Sequence, residues 1–322
     1  MKWIFQTTGV IDHYQEKIHS GTQPIRVLHQ MNLLMFQNTH PSFTEELTIA
    51  FDKYGFSKTV NIVHGETPIH KLPFISVKDK AIYLDETFLS YLWCISHAVY
   101  TLYIQEIDYP RTNSYVGYTK YKIDKSIIEQ AQEIFAYAKA LIKVFDKWDI
   151  DKLPNPERYH AEIRDFIEQP TIFYTEAIKF ILCHEYVHAI KHLDKINNGT
   201  YENSHFIEFE KEADYEAIDL MKKGIFPSGI NELAVHIGIT IGILSMFYFR
   251  AETTAKKHPN TEDRLVSALE QLKLNENSPC WGIALVGLRL WSDQFKLNLQ
   301  WDNTVSDRDA FYKIIQEIKE KD

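Results

Sequence analysis

The residues best suited to chemistry lie in Ile181-Leu182-Cys183-His184-Glu185-Tyr186-Val187-His188-Ala189-Ile190. On a helix, side chains four apart stand one turn apart on the same face, so His184 and His188 can offer both imidazoles to one metal ion. Glu185, next to the first histidine, can take up a proton and pass it on as general base and shuttle. A zinc ion in such a place supplies Lewis acidity and makes the water it holds acidic near neutral pH. The uncharged flanks suit a helix buried beneath a cleft. The plainer alternative is a helix with two partly exposed histidines and a solvated glutamate.

A catalytic zinc needs a third protein ligand and one open position. A third histidine at 194, after a glycine at 191, is excluded because the chain has Lys191 and Asp194. His192 stands two turns from His184, about 12 Å of rise, too far to share an ion, and reads as a surface residue. The better source is Phe206 to Ala217. At about 100° per residue, Phe206, Phe209, Ala213, Ala217, Leu220 and Met221 form one apolar stripe, with Glu210 and Asp214 inside it. Glu208, Lys211, Glu212, Glu216 and Asp219 fall on the wetter side.

Two acids on a buried face are costly unless something positive meets them. Zinc would satisfy Glu210, and a zinc-bound histidine would satisfy Asp214, which then fixes the ring's tautomer. A buried salt bridge to an arginine or lysine is the competing account. The expected site is therefore one zinc per chain on His184, His188 and Glu210, with Glu185 as base and Asp214 in support. His236, His258 and Arg264 are the candidates to donate to the oxyanion of a peptide under attack. His236 also reads as a core histidine, and His258 and Arg264 as caps or braces of a helix.

The elements that must position these residues are mostly helical. Apolar spacings of three and four predict helices over Ser126–Trp148, Glu157–Ile167, Thr171–Leu193 behind Pro170, Ser204–Lys223, Gly229–Arg250, Thr261–Leu272, Pro279–Phe295 and Arg308–Lys319. Phe74–Val77 and Ala81–Leu84 read as a hairpin, with Asp85 capping an apolar helix over Phe88–Ile104. Residues 107–125, with Pro110, Gly117 and four tyrosines, read as a loop. The fold class is mainly α (α+β): a helical zincin-type core over 126–275, after a mixed region over 1–125 with a small β element, and before C-terminal helices over 276–322. Leu233–Phe249 carries no formal charge, yet it is at the short limit for a membrane span and holds His236, two glycines, Thr240 and Ser245. A buried core helix is the expectation.

The whole chain supports this frame. Its 322 residues, 45% apolar and 25% charged, with 18 Tyr and 19 Phe, suit a packed soluble protein. A net charge of −9 argues against nucleic acid or an anionic membrane as partner. Cys94, Cys183 and Cys280 form no CxxC pair and indicate no disulfide framework. The N-terminus lacks the apolar core of a secretory signal, so a cytoplasmic location is expected.

Beyond these readings, HEYVH with a later ExxAD, here Glu210, Ala213 and Asp214, resembles the gluzincin peptidases. His258-Pro259-Asn260-Thr261-Glu262-Asp263-Arg264 is similar to the HPxxxxR segment of HtpX/Ste24-like membrane peptidases, although this chain lacks their clear membrane helices. In overall layout, including Tyr83-Leu84-Asp85-Glu86-Thr87-Phe88-Leu89, residues 70–270 resemble the Lit-type phage-exclusion peptidases (peptidase U49). That resemblance implies an intracellular zinc endopeptidase acting on a host protein during phage infection, with a translation elongation factor as the type of target. A phage-derived component is then a candidate activator. A metal-bearing binding or sensor protein without constitutive proteolysis is the alternative.

Overall fold

The structure is a computed structural model and describes residues 4–7, 23–117, 123–199, 201–254, 258–302 and 304–321. It is mainly helical with a small sheet. The strands are β1 (Gln6–Thr7), β2 (Thr59–Val63), β3 (Phe74–Ile75) and β4 (Ile82–Asp85). The helices are α1 (His29–Gln37), α2 (Phe43–Ile49), α3 (Glu86–Tyr103), α4 (Tyr109–Tyr115), α5 (Lys125–Leu141), α6 (Asp165–Val187), α7 (Leu193–Asn198), α8 (Asn203–Lys222), α9 (Glu232–Leu244), α10 (Thr261–Gln271), α11 (Pro279–Phe295) and α12 (Asp307–Lys321).

The expected hairpin is β3 against β4, with Phe74 opposite Tyr83 and Ile75 opposite Ile82. The sheet extends further, in the order β1-β2-β4-β3, and β1, β2 and β4 run parallel. In β2 and β4 the alternating apolar residues Val60, Ile62, Ile82 and Leu84 are buried, as a sheet with one covered face requires. β3 closes the order as an edge strand. Asp85 ends β4 and caps α3, its carboxylate accepting from the Thr87 N–H at 2.9 Å. α3 is then buried over almost its entire length.

α6 occupies the centre, with α1, α3, α8 and α9 packed around it. α9 lies on α6 with almost no gap: a Cβ at Gly238 would meet the Glu176 Cβ at 2.2 Å. Any side chain there would push the two helices apart. One stretch among the described residues, Glu232–Phe249, has the length and composition of a membrane span, and 72% of it is buried inside the protein. α6, α10 and α11 cover α9, which is a core helix.

Three local expectations change. Residues 104–108 continue α3 as a π-helical turn, and 109–115 form α4, so the first part of the expected loop, 107–115, is helical. Pro110 directly follows the π-helical turn, where the regular hydrogen-bond ladder is already interrupted; residues 118–122 lie outside the described residues. α5 stops at Leu141, and the chain turns so that Trp148 packs on Trp93 and Tyr137, each ring 5.5 Å away. The helix expected over 157–167 is reduced to a single turn at Ala161–Ile163; α6 instead starts at Asp165 and runs through Pro170.

Candidate metal centre

α6 carries His184 to Val187 of the HEYVH segment, and the segment's last residue, His188, opens a π-helical turn running to His192. Such turns concentrate at functional sites because the extra residue re-aims side chains. Here the rings of His184, His188 and His192 stand in a row, packed edge to face with centroids 4.7 and 4.9 Å apart. α8 crosses below and presents Glu210 and Asp214.

The donor atoms converge. Nε2 of His184 and Nε2 of His188 lie 3.1 Å apart. Glu210 Oε2 is 3.4 Å from the first, and its Oε1 is 3.4 Å from the second. His184 and His188 are buried and Glu210 is largely so.

The far side of each ring sets its tautomer. Nδ1 of His184 donates to Asp214 Oδ1 at 2.9 Å, which leaves a lone pair on Nε2. His188 is fixed through a longer relay. Nε2 of His192 lies 3.1 Å from Glu212 Oε2 and donates to it. Nδ1 of His192 must therefore accept, and its partner at 2.9 Å is Nδ1 of His188. His188 then also points a bare Nε2 at the same spot. Two lone pairs and a carboxylate facing one another repel unless a cation sits among them. Two imidazole nitrogens and one carboxylate, with a fourth position left open, fit a catalytic zinc.

Electrostatics agree. Burial disfavours charge on His184, but its bonds to Asp214 and Glu210 outweigh this and raise its pKa to about 10. The pocket calls for positive charge at that point, whether a proton or a metal. Glu210 is held far below the usual carboxylate range: burial opposes this, and the imidazoles of His184, His188 and His258 that face the carboxylate prevail. Asp214 falls to about 2, with Arg264 and His184 overcoming its burial. Burial lowers His192 to about 4, partly offset by Glu212, so it stays neutral as the relay requires.

His192 is the clearest correction to the sequence reading, since it is fully buried and not a surface residue. The signal was available: histidines at 184, 188 and 192 repeat at intervals of four and must share one helix face. Glu212, placed on the wetter side, is half-buried and meets Lys191 as well as His192.

The remaining candidates separate. Arg264 forks onto Asp214, Nε to Oδ2 at 2.6 Å and Nη2 to Oδ1 at 2.7 Å. This sets it apart from the other expected oxyanion donors: the guanidinium braces Asp214, whose carboxylate holds both the His184 ring and a buried salt bridge. His258 is exposed at the rim, with Nδ1 3.1 Å from Glu210 Oε2. The structure does not bring His236 to the others. It is buried in α9, where burial lowers its pKa, and it does not line the cleft. Glu185 is buried, its Oε2 accepting from the backbone N–H of Ile75 at 2.8 Å, and burial raises its pKa.

All of this opens into a cleft of about 760 Å³. His184, Glu185, His188, Glu210, His258 and Arg264 line it, with β3 along one wall and Phe180, Phe206, Phe209 and Phe249 supplying apolar surface. The sequence matches the family model for peptidase U49 over residues 82–284, more than half of the chain. This chain belongs to the peptidase U49 family. The matched segment contains the candidate metal ligands His184, His188 and Glu210, together with Asp214 and His258, and peptide hydrolysis is the activity the family name carries. No curated protein and no solved structure matches the chain.

Proposed function

We propose that this peptidase is a zinc-dependent endopeptidase working on protein substrates in the cytoplasm. The observation that carries the reading is the convergence of His184 Nε2, His188 Nε2 and the Glu210 carboxylate on one point of the cleft, with Glu185 beside it. A zinc ion held there supplies Lewis acidity and an acidified water for attack on the peptide carbonyl.

The chain's own residues do the rest. Glu185 takes the attacking water's proton on a carboxylate oxygen and returns it to the leaving nitrogen. The Ile75 N–H orients that carboxylate. His258, exposed at the rim, is placed to donate to the developing oxyanion. Asp214, with Arg264 behind it, and His192, with Glu212 behind it, hold the two ligand rings in register. β3 is a sheet edge on the cleft wall, and such an edge can pair with an extended substrate backbone. The phenylalanines around it favour a bulky apolar side chain near the scissile bond.

Membership of the family supports a role in phage exclusion, with a translation elongation factor as the type of target and a phage component as activator. The acidic net charge of −9 supports a protein rather than a nucleic acid as partner.

The test is incubation of wild type and Glu185→Gln with denatured casein and with cell lysate, with and without chelator. Cleavage by wild type alone is expected, abolished by chelator, with Glu185→Gln lower by about 10²–10⁴-fold and still holding zinc. Undiminished cleavage by Glu185→Gln would remove that residue from its role. No cleavage of either substrate by wild type would favour a metal-bearing sensor over a constitutive peptidase.

A further inference from the structure

A second set of metal-ligating donors lies away from the cleft, where α1, β2 and α3 meet. His29 is the first residue of α1, His64 directly follows β2, and Glu86 is the first residue of α3. The parallel pairing of β2 with β4 ends with Val63 opposite Asp85, so residues 64 and 86 emerge side by side from the carboxyl ends of two neighbouring strands. We propose that His29, His64 and Glu86 bind a structural divalent transition-metal ion, with zinc the best match to two imidazoles and a carboxylate.

The geometry repeats that of the cleft. Glu86 Oε1 lies 3.2 Å from Nδ1 of His64 and 3.7 Å from Nε2 of His29, and all three donors fall within 4.8 Å of one another. The corresponding separations in the cleft are 3.1, 3.4 and 3.4 Å. The two sets thus share donor types and spacing.

Burial adds an independent reason. The Glu86 side chain is 0% exposed, as is that of His29, and His64 is 6% exposed. A carboxylate taken fully out of water needs a compensating positive charge. Among the described residues Glu86 forms no ion pair with a lysine or arginine; its charged neighbours are these two imidazoles. Its second oxygen, Oε2, is buried with no hydrogen-bond partner there. A divalent cation neutralises the carboxylate and can use that oxygen, which brings the set to the four donors of a closed structural zinc site. None of the three residues lines the cleft, so the ion is out of reach of substrate.

Its consequence is mechanical. The ion would fasten the first turn of α1, the exit of β2 and the start of α3 to one another. The chain between His64 and β3 leads to the strand that holds Glu185, and Thr87 already ties this segment down by donating to the Thr67 carbonyl at 2.9 Å.

Elemental analysis after zinc saturation and buffer exchange tests the site, on wild type, His188→Ala, His64→Ala and Glu86→Gln, with near-ultraviolet circular dichroism to confirm folding. About two zinc ions per wild-type chain and about one in each variant are expected. Zinc that persists in His188→Ala and disappears when Glu86→Gln is added supports the buried site even if the cleft holds no metal. A wild type that saturates at one ion, lost entirely in His188→Ala, would overturn it. If the His64 and Glu86 variants do not fold, the counts for wild type and His188→Ala still decide.

Discussion

Ile75 donates its backbone N–H to Oε2 of Glu185 at 2.8 Å, so the edge strand of the sheet holds the carboxylate that follows the first histidine of HEYVH. One side of β3 pairs with β4 and the other reaches α6. Burial raises the pKa of Glu185, and the N–H of Ile75 partly opposes this by stabilising the charged form.

Removing that donor should therefore misplace the base without touching the metal. Ile75→Pro, which lacks the N–H, is expected to keep its zinc and lose about tenfold or more in turnover, the equivalent of one hydrogen bond to a charged group. Ile75→Val, which keeps the N–H, serves as the control and should stay near wild type. Wild-type turnover in Ile75→Pro would show that the contact does not orient Glu185.

The relay behind His188 makes a separate prediction. His192→Phe keeps a ring of similar shape and removes the nitrogen that accepts from His188 Nδ1. Chelator competition should then report zinc affinity at the cleft lower by about 10–100-fold. Glu212→Gln should shift it in the same direction and by less, because an amide can still accept from His192 Nε2. Unchanged affinity in His192→Phe would reduce the histidine row to packing.

The mainly helical architecture and the stripe holding Glu210 and Asp214 were legible because helix period and burial cost are local properties of Phe206–Met221. The hairpin was legible because both strands and their turn are contiguous. The parallel partners β1 and β2 were not, since pairing between distant segments leaves no periodic trace in a two- or five-residue strand. Helical rise separates His192 from an ion at His184 but says nothing of its exposure, which packing of Phe209 from α8 on the π-helical turn decides. In the sequence Pro170 reads as a start signal, yet α6 begins at Asp165 and accommodates it near its N-terminal end. His29, His64 and Glu86 leave no local signal, because the register of β2 on β4 brings residues 64 and 86 together and the packing of α1 adds His29.

Acid should destabilise the fold through a histidine far from either metal set. His97 is 2% exposed and packs on Trp93 at 5.4 Å between ring centres; burial pushes its pKa down to about 3. The unfolded chain takes up this proton below about pH 6.5, while the folded protein resists until about pH 3. The unfolded state thus binds more protons in that window, and stability falls as pH drops through it. Replacing the ring by leucine removes this contribution. Urea unfolding should show the stability of His97→Leu, relative to wild type, rising by up to about 3 kcal/mol between pH 7 and pH 4. Metal loss on acidification affects both proteins alike, and a constant difference across the range would contradict the assignment.

The central claim is that Glu210, on α8, completes a metal site begun by His184 and His188 on α6. Zinc stoichiometry by elemental analysis, on wild type and Glu210→Ala purified side by side, tests it most directly. The variant should carry about one zinc ion fewer per chain, or release that ion far more readily to a chelator. Equal zinc content and equal resistance to chelator in the two proteins would contradict the three-ligand centre.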